Sequence, residues 1–111
     1  MTKRASYLHV SEQRLLHDWG AALAAAFNGK QPYHVGSSLD SKDWRDVDVR
    51  IMLDDARYEQ LASVVDVQRL GLALSLWGQR ATGLPIDCQV QRTSEANAKY
   101  NGARHPIGGP L

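Results

Sequence analysis

The chain has 111 residues, 43% of them hydrophobic and 23% charged, with a formal net charge of +1. This length supports one small domain with a single core, and the near-neutral charge excludes binding of polyanions or anionic membranes through the overall field. The single cysteine, Cys88, excludes an intrachain disulfide, and neither a signal-peptide core nor a bilayer-long apolar run is present, so we expect a cytoplasmic protein with no membrane partner.

The first half of the chain predicts one helix and two strands. Apolar residues recur every three or four positions over residues 12–28, which predicts a helix with Ser11 as its N-cap. Residues 32–36 are a short strand candidate, and the polar segment 37–45 is either a loop or a short helix. Residues 47–53 are rich in β-branched side chains and form the clearest strand in the chain.

The second half predicts two further helices, a strand and a last helical turn. A short helix is expected over residues 56–64, and a longer amphipathic one over about 67–81. Residues 84–90 read as a third strand, and 94–100 as a helical turn. The Gly/Pro-rich segment 104–111 predicts an irregular tail. This order of elements is typical of a single α/β domain.

Two carboxylates, Asp46 and Asp48, are spaced two apart at the start of the clearest strand. Residues i and i+2 of a strand point to the same face, so these like charges would lie side by side. A divalent cation relieves such a pair, and oxygen ligands suit Mg²⁺. The alternative is a solvated face on which Arg45 or Arg50 pairs with the aspartates.

A third carboxylate, Asp87, lies on the third predicted strand. Alternation places Asp87 and Gln89 on the face opposite Ile86 and Cys88. If this strand lies beside the strand of the first two aspartates, three carboxylates could hold two metals about 3.5–4 Å apart, an arrangement that suits phosphoryl or nucleotidyl transfer. The alternative is a surface residue on an edge strand.

A Gly-Ser-Ser turn precedes the carboxylates. Gly36 lets the main chain approach a phosphate closely, and Ser37 or Ser38 can donate from a hydroxyl or an N–H group. The alternative is that the serines only shape the turn. Arg45 either binds a phosphate or pairs with an aspartate, and His34 reaches the site if its strand faces that way.

These segments together resemble the nucleotidyltransferase superfamily that includes DNA polymerase β, in its minimal form. The resemblance rests on His34-Val-Gly-Ser-Ser-Leu39, Arg45-Asp-Val-Asp-Val-Arg50 and Pro85-Ile-Asp-Cys-Gln-Val90. The family signature is an apolar residue and Gly-Ser, a gap of roughly ten residues, Asp-x-Asp in a strand and an Asp on a later strand. The matching stretches run from about residue 32 to residue 90, which is most of the chain.

The resemblance implies an α+β fold with a small mixed three-stranded sheet, the Asp46/Asp48 strand in the middle and helices packed on it. It also implies Mg²⁺-dependent (or Mn²⁺-dependent) transfer of a nucleoside monophosphate from an NTP to an acceptor hydroxyl. By motif position, Gly36 and Ser37 would bind phosphate. Ser38 and Arg45 are further candidate phosphate ligands, because a hydroxyl and a guanidinium can both donate to phosphate oxygens. The expected metal ligands and catalytic residues are Asp46, Asp48 and Asp87, and Asp87 would also assist deprotonation of the acceptor.

Alternatives to the enzyme remain open at this point. The chain could be a catalytically weak nucleotidyltransferase-like module that senses nucleotide, or one that binds a small helical protein as antitoxins of the family do. A nuclease is a weaker third alternative. The acceptor could be a protein, a nucleic acid or a small molecule, and the exposed edges of a small sheet make a homodimer plausible.

Overall fold

The computed structural model describes residues 7–100 and 102–108. Residues 1–6 and the last three residues of the predicted tail, 109–111, lie outside that description. The described residues form an α+β domain whose helices and strands are, in chain order, α1 (Val10–Ala26), β1 (Tyr33–Val35), α2 (Ser37–Asp40), β2 (Val47–Leu53), α3 (Asp55–Ala62), α4 (Val67–Thr82), β3 (Ile86–Arg92), α5 (Thr93–Lys99) and β4 (His105–Pro106).

The helix starts are set by side chains that accept hydrogen bonds from main-chain N–H groups. Asp54 accepts from Arg57 N–H at 2.8 Å and begins α3, and Asp66 accepts from the first turn of α4. The prediction of Ser11 as the N-cap of α1 was wrong. The helix begins earlier, because the Glu12 carboxylate accepts the N–H of His9 at 2.8 Å.

The sheet has four strands in the order β3-β2-β1-β4. Strands β2 and β3 are parallel, and β1 is antiparallel to both β2 and β4. The expectation of three strands was wrong, and the expected irregular tail is interrupted at residues 105–106, because β4 pairs His105 with His34 of β1. A two-residue strand that contains a proline has no alternation for a sequence pattern to reveal, and it is tolerated because it lies at the sheet edge.

The two faces of the sheet differ in what covers them. Alternate residues of β2, namely Val47, Val49, Ile51 and Leu53, are buried in one apolar cluster with side chains of α1 and α4. On the opposite face Met52 and Val35 form a smaller cluster beneath α5. Cys88 belongs to the larger cluster, and burial raises the pKa of its thiol to about 12, so it serves as a small apolar residue.

Helix α4 covers the outer edge of β3. The Ser75 hydroxyl accepts the N–H of Cys88 at 2.8 Å and lies 2.8 Å from the carbonyl oxygen of Gly71. The Gln79 amide donates to the Ile86 carbonyl at 3.1 Å. Side chains of α4 therefore satisfy main-chain groups that would otherwise face outward from this edge strand. Across the described ranges, none of the helices combines the length and apolar character that a membrane crossing requires.

Removing the Ser75 hydroxyl tests this edge protection. We expect Ser75→Ala to lower the free energy of unfolding by about 1–3 kcal/mol, because the buried N–H of Cys88 loses its acceptor. Ser63→Ala is the matched control, since its hydroxyl donates to a carbonyl on an exposed surface. Urea denaturation measures both variants, and equal losses would contradict the assignment.

Candidate functional site

Asp48 and Asp87 lie directly opposite each other on the parallel strands β2 and β3. Both side chains therefore point from the same face of the sheet. Burial is the main cause that raises the pKa of the Asp48 carboxyl, and the positive charge of Arg50 opposes it. The negative charges of Asp87 and Asp46 raise the pKa further, and so does a hydrogen-bonding contact with Asp87. The fold thus brings like charges together in a partly buried position.

Asp46 stands next to this pair without being part of the strand. It is exposed and precedes β2, which begins at Val47. Its charge reaches Asp48, as the raised pKa of Asp48 indicates. Among residues 7–100 and 102–108, no group of three or more His, Cys, Asp or Glu side chains is arranged to hold a metal ion.

The predicted Gly-Ser turn lies against Asp48. Val35 pairs with Asp48 in the β1–β2 register, so Gly36 follows at the same end of the sheet. Gly36 has a φ of +82°, and a Cβ at this position would overlap the Asp48 carboxylate. Glycine is therefore required both by the backbone conformation and by the close approach of the carboxylate.

The two serines of the turn have different environments. Ser37 is exposed, whereas Ser38 is fully buried and its hydroxyl is hydrogen-bonded to Nε2 of His34. The Ser38 hydroxyl therefore holds the turn in place, which is the alternative that the sequence left open, and it does not face a ligand.

His34 lies on the face of the sheet opposite Asp48, because it alternates with Val35. Burial lowers the pKa of His34 to about 4, and the nearby His105 and His17 lower it further. His34 is consequently neutral at pH 7. Its hydrogen bond to Ser38 supports the Gly36 turn from the core side of the sheet.

Arg50 is the residue whose role the sequence underestimated. Its side chain is 2% exposed, and NH2 lies 3.7 Å from Asp48 Oδ1 and 3.5 Å from Asp87 Oδ2. NH1 donates to the main-chain oxygens of Val49 at 3.0 Å and Asp87 at 2.8 Å. NH2 also donates to the Tyr100 hydroxyl at 2.9 Å. These contacts match the sequence alternative in which Arg50 pairs with the aspartates.

Arg45, by contrast, is exposed, and within the described ranges no ion pair joins it to Asp46 or Asp48. Its guanidinium is open to an anionic ligand. A signal for Arg50 did exist in the sequence, since a charged residue inside an otherwise apolar central strand needs a buried partner. No local pattern pointed to Tyr100, which is 50 residues away.

The site therefore combines two adjacent carboxylates, a glycine turn that lies against one of them, and an exposed arginine, Arg45, one residue before Asp46. Comparison of the chain with protein-family models, with curated proteins and with solved structures gave no match. The functional argument consequently depends on the geometry and chemistry of these residues.

The buried histidine predicts a stability change with pH. The unfolded chain takes up a proton at His34 near pH 6.5, whereas the folded chain does so near pH 4. Stability should therefore fall as the pH drops through this window, by up to about 3 kcal/mol from His34. Denaturation at several pH values should show a smaller loss for His34→Gln than for the wild type.

The exposed His9→Gln is the matched control and should keep the wild-type dependence on pH. If His34→Gln loses as much stability as the wild type between pH 6.5 and 4, His34 is not the group responsible.

Proposed function

We propose that this protein is a metal-dependent nucleotidyltransferase that moves a nucleoside monophosphate from an NTP to an acceptor hydroxyl. The observation that supports this most is the contact of the Gly36 turn with Asp48, which itself lies opposite Asp87. A glycine turn lets the main chain approach a phosphate chain closely, and adjacent carboxylates suit the cation that accompanies it.

The residues present fit a divalent ion in their donor chemistry. Asp48 and Asp87 offer carboxylate oxygens, the ligands that Mg²⁺ and Mn²⁺ prefer. The negative charge of Asp46 raises the pKa of Asp48, so Asp46 also acts on this site. The crowding of like charges at Asp48 is a second reason, because a bound cation offsets it. When bound, such an ion lowers the pKa of an attacking hydroxyl and neutralises charge on the phosphates.

The protein's own side chains then have distinct tasks. The main chain at Gly36 and the exposed Ser37 hydroxyl would hold phosphate oxygens. Arg45 would contact the triphosphate from the rim through a charge-assisted hydrogen bond. Asp87, whose side chain is 40% exposed, would accept the proton of the acceptor hydroxyl.

The second candidate is a nucleotide-binding module with little or no transferase activity. It is favoured by Arg50, which already pairs with both Asp48 and Asp87. A module of this kind would act through a second copy or a small helical protein. Leu72 and Leu76, both about two-thirds exposed on α4, are apolar side chains that a partner would cover.

The transferase proposal predicts the effect of removing each carboxylate. The assay follows α-labelled ATP, GTP, CTP and UTP with Mg²⁺ or Mn²⁺, and acceptors are supplied as small hydroxyl compounds, RNA and proteins. We expect Asp48→Asn and Asp87→Asn to lower transfer at least about 100-fold, with a smaller loss for Asp46→Asn. Asp43→Asn, an exposed aspartate of the preceding loop, is the control.

Metal-dependent binding of NTP without transfer of label to any acceptor would favour the second candidate. The absence of both binding and transfer would reject the two candidates together.

The glycine turn gives an independent prediction. Gly36→Ala and Gly83→Ala both force an alanine into a positive-φ conformation, which costs about 1–3 kcal/mol of stability, with the higher cost at Gly36, whose ψ of −160° is essentially restricted to glycine. At Gly83 a Cβ meets nothing within 4 Å, whereas at Gly36 it overlaps Asp48. We therefore expect only Gly36→Ala to weaken NTP binding, by about tenfold or more, as measured by calorimetric titration. Equal binding by the two variants would place the nucleotide elsewhere.

A further inference from the structure

We propose that Arg50 is a resident cation that takes one of the two cation positions around Asp48 and Asp87, so that the nucleotide-free chain binds one divalent ion and not two. This inference rests on the proposed function for the identity of the site. It departs from the expectation of a pair of metals between three carboxylates.

The guanidinium is held mainly by neutral oxygens, with a longer contact to each carboxylate. NH2 lies 3.7 Å from Asp48 Oδ1 and 3.5 Å from Asp87 Oδ2, which is longer than a direct charge-assisted hydrogen bond. The short contacts are to the carbonyl oxygens of Val49 and Asp87 and to the Tyr100 hydroxyl, at 2.8–3.0 Å. Main chain and Tyr100 therefore hold Arg50 in place, and it would stay there when the carboxylates bind an ion.

The charge on Arg50 is permanent. A guanidinium does not lose its proton in a protein, and this one is 2% exposed, so it cannot turn into solvent. The Tyr100 ring lies 5.3 Å from the guanidinium carbon and closes the site on that side. Unlike a surface arginine, Arg50 cannot move aside to admit a second metal.

The charges of the site agree with a single ion. Asp46, Asp48 and Asp87 carry three negative charges, and Arg50 offsets one of them. The two charges that remain are balanced by one divalent cation, whereas two such cations would leave a net positive charge in a partly buried place. Any further ion needed for transfer would enter as part of the metal–nucleotide complex.

The experiment is a titration of the full nucleotide-free chain with Mn²⁺. Electron paramagnetic resonance counts the free ion, and calorimetry gives the affinity. We expect one ion per wild-type chain. Arg50→Met, which replaces the cation with a neutral side chain of similar length, should bind a second ion or bind the first at least about tenfold more tightly.

Two control variants keep the positive charge. Arg50→Lys retains a cation beneath the carboxylates, and Tyr100→Phe removes one anchoring hydrogen bond without changing any charge. Both should bind one ion, as the wild type does. If Arg50→Met fails to fold, a count of two ions per wild-type chain would still overturn the inference, and Arg50→Gln replaces it as the neutral variant.

Two ions per wild-type chain would overturn the inference, as would unchanged binding by a folded Arg50→Met variant. An absence of binding by every variant would overturn both this inference and the metal-dependent function. One ion per wild-type chain without nucleotide transfer would support the inference and reject the transferase alone. Binding by Arg50→Met and none by the wild type would overturn the count of one ion and the metal-dependent function together, because Arg50 would then exclude every divalent ion.

Discussion

The buried guanidinium of Arg50 is the constraint on which the rest of the polar face depends. It lies in the central strand β2, contacts the main chain of β3 and reaches Tyr100 at the end of α5. Truncating one partner of a buried ion pair typically costs about 3–5 kcal/mol, because the remaining charge is left uncompensated. Asp48 and Asp87 can therefore sit together on a small sheet because a cation lies beneath them, and Arg50 is tolerated at 2% exposure because these oxygens surround it.

Successive side chains of β1 and β2 point to opposite faces of the sheet, which separates the apolar core from the polar site. Val49 and Ile51 point into the cluster beneath α1 and α4, whereas Asp48 and Arg50 point to the face that α5 partly covers. His34 joins the two layers, since it is buried on the core side and bonds to Ser38 behind the Gly36 turn. A shift of one residue in register would bury the carboxylates in the apolar cluster and expose the aliphatic side chains, so this register is strongly specified.

Sequence patterns were sufficient where a single element carries its own signal. Helix α4 has apolar spacing with an aspartate cap, and β2 has a β-branched alternating run, so both were predicted closely. The fourth strand had no such signal, because two residues and a proline define it only through pairing with β1. Alternation predicted the faces of Asp48 and Asp87, but their contact depends on which strands are neighbours. The anchoring of Arg50 by Tyr100 joins residues 50 positions apart and has no local pattern.

The geometry of Arg50 also explains how one site can contain a fixed cation and still offer ligands. Because main-chain oxygens take the short hydrogen bonds, the guanidinium compensates the charge of Asp48 and Asp87 while making only long contacts to them. The carboxylate oxygens thus keep lone pairs for an external partner, and Asp87 remains accessible to solvent. On the proposed function, Arg50 would allow the carboxylates to assemble during folding, and a bound divalent ion would meet the charge that is left. An arginine bound directly by both carboxylates would have stabilised the fold at the expense of the site.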